Sequence, residues 1–255
     1  MSASAARDAA AAPAGEPVIA AERLVAGYDS AVPIVDGASL RASSGEIVAV
    51  LGPNGAGKST FIKAIGGLVP IRSGTVRLGG EDITRLSAHL MVRRGLAYVP
   101  QTENVFARMS VEDNLRLSGH VLEARLKAAR MAEVYAFFPD LARQRRVPAG
   151  RLSGGQRQMV AVARALMVAP KALMLDEPSA GLSPKLVETV FAKLLDIAKR
   201  GVAIVLVEQN ARAALAIADR AYVLVEGKER HQGPASGLRD DAELARHYLG
   251  LGGAA

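Results

Sequence analysis

Glu46-Ile-Val-Ala-Val-Leu51 runs directly into Gly52-Pro53-Asn54-Gly55-Ala56-Gly57-Lys58-Ser59-Thr60 and then into Phe61-Ile-Lys-Ala-Ile65, and the reading of this stretch decides the fold. A short, nearly all-apolar run reads as a strand buried on both faces, the glycine-rich segment as a loop, and the residues from Thr60 as a helix. The loop fits the pattern G-x-x-x-x-G-K-[ST] in the context that pattern requires, after a strand and before a helix. Small residues let backbone N–H groups close around phosphate oxygens, and the helix N-terminus adds positive potential. Lys58 supplies a point charge and Ser59 offers a hydroxyl to Mg²⁺.

Four more segments share the buried-strand texture: Leu96 to Val99, Ala172 to Leu175, Ala203 to Val207 and Ala221 to Val225. Helical stretches separate them, which is the arrangement of an α/β core with a parallel sheet. The clearest helix starts at Ser183 as cap with Pro184 at its first position. Val187, Val190, Phe191, Leu194, Leu195 and Ala198 then recur at helical spacing until Lys199-Arg200-Gly201. Upstream of the loop, Val18 to Ala20 and Ile34-Val35, broken by Gly27, Asp29, Pro33 and Gly37, suggest small strands joined by turns. From Ser110 to about Gly150 the pattern is helical throughout, opened by a capping-box-like Ser110 and Asp113. Leu122, Leu126, Val134, Phe137 and Phe138 form its apolar stripe. This reads as an inserted helical lobe with Arg143 to Pro148 as its solvated exit.

The chain has 255 residues, 50% hydrophobic and 22% charged, enough for one full-sized domain or two small lobes sharing a core. The longest apolar runs fall far short of the roughly 18 residues of a membrane-spanning helix. The absence of cysteine removes disulfides, thiolate metal sites and cysteine nucleophiles. His89, His120, His231 and His247 form no close-spaced ligand pattern. A net charge of +7 suits an anionic partner, but with 4% aromatics and no tryptophan there is no set of stacking residues for single-stranded nucleic acid. Nucleic acid is not an expected partner.

Two further segments complete a nucleotide site. Ala172-Leu-Met-Leu175-Asp176-Glu177 ends an aliphatic strand with two acids in tandem. Asp176 would hold the Mg²⁺ shell, and Glu177 would sit near the γ-phosphate and polarise the attacking water. Alone, Asp-Glu-Pro after a strand is more often a turn; the loop at Gly52 raises it to a site. Ser153-Gly154-Gly155-Gln156 opens a helix through Val160, Ala161, Ala163 and Leu166, a second anion-ready helix start. Two such starts in one chain call for a second ligand or a second copy of the protein, unless the latter is only a capped helix with a flexible entry.

The loop at Gly52 to Ser59, Leu152-Ser-Gly-Gly-Gln156 and Leu175-Asp-Glu-Pro178, in this order and spacing, resemble the ATP-binding cassette family from about Val18 to Val225. The resemblance implies a P-loop NTPase (RecA-like) α/β core with an N-terminal antiparallel β-subdomain and an inserted α-helical subdomain. It implies ATP and Mg²⁺ as ligands, and two cassettes meeting head to tail, so that Ser153, Gly154 and Gly155 of one reach the γ-phosphate on the loop of the other, with Gln156 beside them. By the same resemblance Tyr28 matches the aromatic that stacks on adenine. Gln101 matches the glutamine that touches Mg²⁺ and relays nucleotide state to a membrane partner. Lys58, Glu177 and Gln209 form the hydrolytic set, and Ser59, Gln101 and Asp176 the metal set. The implied divisions are a tail over 1–16, a nucleotide-binding core over 17–108 and 160–230, a helical subdomain with the signature over 109–159, and a C-terminal segment over 231–255 with a short helix near Ala242 to Leu249.

Two positions depart from the commoner family pattern. Val207-Glu208-Gln209-Asn210 places Gln209 where most cassettes carry a histidine; its amide still donates a hydrogen bond but does not titrate. Ser183 stands where many have aspartate. Together with the Tyr248-Leu-Gly250 ending, these features resemble the second ATP-binding subunit of branched-chain amino-acid importers, and more distantly of urea and amide importers. The resemblance implies a peripheral subunit on the cytoplasmic face of the bacterial inner membrane. Its partners would be two permease subunits and a second ATPase, either a sister chain or another copy, with a solute-binding protein acting indirectly. The rival readings are a soluble cassette ATPase acting on nucleic acid or a cytosolic assembly, and a non-catalytic nucleotide-binding regulator, which the presence of both Asp176 and Glu177 disfavours.

Overall fold

The computed structural model describes residues 16–29 and 32–240. Its strands are β1 (Ile19–Ala26), β2 (Val35–Ala42), β3 (Ile47–Leu51), β4 (Ile71–Leu78), β5 (Glu81–Asp82), β6 (Leu96–Val99), β7 (Ala172–Asp176), β8 (Ala203–Val207), β9 (Arg220–Val225) and β10 (Lys228–Pro234). Its helices are α1 (Lys58–Ile65), α2 (Ala88–Arg94), α3 (Val111–Ser118), α4 (Ala124–Phe137), α5 (Pro139–Arg143), α6 (Gly154–Leu166), α7 (Pro184–Ala198), α8 (Ala211–Ile217) and α9 (Ala235–Asp240).

The central sheet runs β10-β9-β3-β8-β7-β6, parallel except for β10 at one edge. Every residue of β3, β7 and β8 is buried, which is why these strands read as unbroken aliphatic runs. The two-residue period still sorts them. Ile47, Ala49 and Leu51 of β3 enter the core shared with the helical lobe, α7 and α8, whereas Val48 and Val50 enter the core under α1 and the second sheet. On α1 the side chains of Phe61, Ile62 and Ile65 are fully buried in that second core, each contributing roughly 1.5–3 kcal/mol of burial.

The second sheet is antiparallel, in the order β2-β1-β4-β5. Its strands are longer than the short apolar clusters predict, because the alternation of β1 breaks in mid-strand. The register shifts between Ala21 and Leu24, with Arg23 at φ 47°, and beyond this bulge Leu24 and Ala26 return to the core. The unpredicted β4 packs on the same irregularity. Gly74 lies at φ 91°, where an added Cβ would stand 2.5 Å from the carbonyl oxygens of Glu22 and Arg23. Another strand absent from the sequence reading, β10, has no apolar run. It is an edge strand paired to β9 through the Glu226-Gly227 turn, whose φ values of 51° and 76° suit a two-residue hairpin.

The helical lobe follows expectation in outline. Ser110 caps α3, its hydroxyl accepting from the Asp113 N–H at 3.0 Å. The proposed stripe is not continuous: Val134, Phe137 and Phe138 are buried, but Leu126 is 45% exposed. Only the C-terminal half of α4 reaches the lobe's core, so periodicity across 122–138 overstates its buried face. Ser183 is the N-cap residue of α7, yet its side chain accepts no capping bond. Nearly all of the 1–16 tail and the whole helix expected near Ala242 to Leu249 lie outside the described residues. Among those described, no helix is long and apolar enough to cross a membrane.

Candidate functional site

The C-terminal ends of the parallel strands carry the site, as expected where loops open beyond a parallel sheet. β3 ends at Gly52, with φ 145° and no room for a side chain: a Cβ would stand 2.1 Å from the Leu224 carbonyl oxygen. Gly55 and Gly57 also take positive φ, 78° and 92°. Gly57 is the left-handed N-cap of α1, and no side chain caps that helix, an arrangement suited to an anion at its leading N–H groups. Ala56 is buried, while Pro53 and Asn54 form the exposed rim and Thr60 is tucked into the first turn.

Lys58 is only 5% exposed. Its Nζ donates to the carbonyl oxygens of Gly52 at 2.8 Å and Pro53 at 3.0 Å. Burial pushes its pKa down, and the carboxylates of Glu177, Asp176 and Glu208 act against that shift. A buried ammonium satisfied by two loop carbonyls is poised to exchange them for phosphate oxygens, a stronger acceptor.

Asp176, 3% exposed at the end of β7, receives two donors: Ser59 Oγ at 2.8 Å on Oδ1 and Tyr98 Oη at 3.2 Å on Oδ2. Desolvation and the neighbouring Asp176 charge push the Tyr98 phenol well above its usual range, so it serves as a donor. Ser59 and Asp176 offer hard oxygens of the kind Mg²⁺ takes together with water and phosphate. Among the described residues no group of three or more His, Cys, Asp or Glu could hold an ion unaided. That donor set fits a cation brought in with a nucleotide.

Glu177 follows in a left-handed backbone conformation, φ 46°, and its Oε2 accepts from Gln101 Nε2 at 2.7 Å. Its N–H donates to the Val207 carbonyl at 2.9 Å, tying the acid to the end of β8. Beyond that end, Gln209 is exposed and lines a cavity of about 770 Å³ with Glu177, Ser179 and Glu208. The fold thus gathers Lys58, Ser59, Gln101, Asp176, Glu177 and Gln209 at the C-terminal ends of the sheet's parallel strands.

Tyr28 and the signature residues stand differently. Tyr28 is 61% exposed in the connection between β1 and β2. Ser153 and Gln156 bond to each other as a capping box: Ser153 Oγ accepts from the Gln156 N–H at 3.3 Å, and Gln156 Oε1 accepts from the Ser153 N–H at 2.9 Å. Both glycines are spacing residues. A Cβ on Gly155 would lie 2.7 Å from Leu186 Cδ2, and one on Gly154 3.1 Å from Leu182 Cδ2.

Sequence reasoning missed two members of this constellation. Tyr98 was a polar tip in an otherwise aliphatic strand, and Glu208 a charge at the end of another. Glu208 is 2% exposed, and Ser179 donates its N–H to Oε1 at 2.9 Å and its Oγ to Oε2 at 2.8 Å. Burial raises the Glu208 pKa against the lowering effect of these bonds.

The family profile described as ABC transporter matches residues 35–180. The chain is 43% identical over 206 residues to the probable branched-chain amino acid transport ATP-binding protein LivF of Archaeoglobus fulgidus, covering 80% of this chain and 87% of that protein. It is 38% identical over 226 residues to the high-affinity branched-chain amino acid transport ATP-binding protein BraG of Pseudomonas aeruginosa, covering 89% and 97%. Among solved structures, the ADP conformation of MJ1267, an ATP-binding cassette of an ABC transporter, superposes with a TM-score of 0.82 at 26% identity, covering 92% and 100%.

Proposed function

The chain belongs to the ABC transporter family, and from that membership we propose that it energises import of branched-chain amino acids through separate permease chains. It is an ATP-hydrolysing transporter subunit that works with membrane permeases. The solute, stoichiometry and residue roles are our reading: the solute rests on the similarity to LivF and BraG, and the residue roles are supported above all by one observation, that the Ser59–Asp176 and Gln101–Glu177 bonds bring the loop and the tandem acids together at the strand ends.

In this reading Tyr28 stacks on adenine, and Gly52 to Thr60 wrap the phosphates with backbone N–H groups. Lys58 leaves the Gly52 and Pro53 carbonyls for the β- and γ-phosphates. Ser59, Asp176 and Gln101 would hold Mg²⁺, whose charge offsets that of the phosphate oxygens. Glu177 takes a proton from water as its oxygen attacks the γ-phosphorus; the bond to the bridging oxygen breaks and ADP leaves. Gln209 donates its amide to the γ-phosphate, and Ser153, Gly154, Gly155 and Gln156 of an opposing cassette close the site. We assign 17–108 and 160–230 to the nucleotide-binding core, 109–159 to the helical subdomain and 231–255 to a C-terminal segment. The subunit is placed on the cytoplasmic face of the inner membrane, beneath two permeases, with a sister ATPase or a second copy and a solute-binding protein acting indirectly.

Glu177→Gln is expected to keep ATP binding while lowering turnover at least a hundredfold, the combined effect of losing a base and its positioning. Unchanged hydrolysis would remove Glu177 from that role. The same variant, held with ATP in native membranes, should co-purify with two permeases and a second cassette ATPase. Leucine, isoleucine and valine uptake should fail when the gene is inactivated. Recovery with ribosomal or nucleic-acid partners, or loss of urea or amide uptake instead, would overturn the importer or its solute.

A further inference from the structure

The geometry points to Glu208 and Ser179 as a positioning clamp that fixes the distance between Glu177 and Gln209 for hydrolysis, an inference that rests on the ATPase reading above. Both members are buried, 2% and 7% exposed. Glu208 uses both carboxylate oxygens on one residue, accepting the Ser179 N–H on Oε1 at 2.9 Å and the Ser179 hydroxyl on Oε2 at 2.8 Å. Ser179 lies two residues beyond Glu177, and Glu208 immediately precedes Gln209. The clamp therefore joins the two chain segments that carry the proposed base and the proposed γ-phosphate donor.

Three features argue for positioning rather than simple packing. A buried carboxylate is expensive unless its partners satisfy it, and an apolar pair of similar volume would hold a core at less cost. Burial holds the Glu208 proton more firmly than usual despite the bonds from Ser179 and from the Asn210 backbone, and Glu177 adds to the effect. The loop it restrains begins with an unusual backbone: Glu177 sits at φ 46°, a conformation that persists only where surrounding structure enforces it. Finally, the Glu177 N–H already donates to the Val207 carbonyl at 2.9 Å. That backbone bond and the Glu208 clamp grip the loop on both sides of Pro178, and Glu177, whose Oε2 accepts from Gln101 Nε2 at 2.7 Å, lines the cavity together with Gln209. Because Gln209 is neutral, its contribution depends on hydrogen-bond placement alone, which makes a rigid spacing more valuable than it would be for a charged group.

The test uses the full chain. Glu208→Gln replaces one acceptor oxygen by a donor and breaks the paired acceptance. It should lower kcat at least tenfold while ATP affinity, read by displacement of a fluorescent nucleotide, stays within threefold. Ser179→Ala should lower kcat less, Ser179→Thr should retain at least half of it, and Glu208→Gln with Ser179→Ala should be no worse than Glu208→Gln alone. In a Glu177→Gln background, Glu208→Gln should cause no further loss. A Glu208→Gln enzyme with kcat within twofold of wild type overturns the clamp. So does a parallel loss of kcat, affinity and melting temperature, the pattern of a merely structural residue. If Glu208→Gln fails to fold, Ser179→Ala decides alone: wild-type kcat overturns the proposal, and a kcat loss at unchanged affinity and melting temperature supports it. Turnover that survives Glu177→Gln overturns Glu177 as the base, the reading on which the clamp rests, whereas loss in Glu177→Gln with full activity in Glu208→Gln overturns the clamp only.

Discussion

Tyr98 and Ser59 divide the two oxygens of Asp176 between them, one donor each, at 3.2 Å and 2.8 Å. A hydrogen bond to a charged, buried acceptor is worth about 1.5–3 kcal/mol, and leaving the acceptor short costs its desolvation. Tyr98→Phe is therefore expected to lower nucleotide-free stability by about 1–2 kcal/mol in a urea titration; an unchanged midpoint would mean that water replaces the phenol at no cost. Tyr98 was invisible in the sequence as a site residue. β6 reads as a strand whatever its third residue is, and nothing in Leu96-Ala-Tyr98-Val99 says that the phenol reaches β7. Asp176 was legible because an acid terminating an aliphatic strand opposite a glycine-rich loop has few other uses. Lys58 was legible for the same kind of reason, although its bonds to the Gly52 and Pro53 carbonyls were not.

At the scale of elements, glycines separate local from tertiary demands. Gly37 and Gly74 both adopt positive φ, 79° and 91°, but a side chain at Gly37 would meet open space whereas one at Gly74 would strike the β1 bulge. Gly37→Ala should cost about 1 kcal/mol, the left-handed penalty alone. Gly74→Ala should cost about 3 kcal/mol or more, because the backbone of β1 cannot withdraw. Equal losses in thermal melts would show that β4 can shift to admit the methyl group. The sequence did not show β4, since Ile71 to Leu78 mixes glycine, serine and two arginines and its pairing depends on the irregular register of β1. The strands β3, β7 and β8 needed no such context: burial on both faces leaves a mark in the residues themselves. α7 was equally plain from its 3.6-residue period. α4 was not, because only half of it finds a neighbour.

The whole molecule consists of two cores back to back across the central sheet, with the site at the strand ends between them. The helical lobe is bound to the rest partly by cation–π contacts. Lys193 and Arg200 of the α7 region stand 4.7 Å and 4.1 Å from the Phe137 ring centroid. Because the phosphate loop joins β3 to α1 and faces β7, a nucleotide held there stabilises the native state against the unfolded chain. At free ATP one hundredfold above Kd the gain is about 2.7 kcal/mol, which should appear as a clear rise in melting temperature. Lys58→Ala should abolish that rise at the same ATP concentration; persistence of the full shift would place the binding energy elsewhere.

What the sequence determined by itself was what repeats locally or carries chemistry in a fixed spacing. The aliphatic runs specify the parallel strands, the glycines and lysine after β3 specify the loop we propose as a phosphate cradle, and Asp176-Glu177 specify the acids at the end of β7. These survive reading in one dimension because sterics and hydrogen bonding act over a few residues. Tertiary structure alone decided the register of β1 with β4, the two donors on Asp176 and the burial of Glu208 against Ser179. Each depends on atoms brought together from segments between 29 and 117 residues apart or on a neighbouring strand's irregularity. No periodicity within one segment encodes a partner supplied by another.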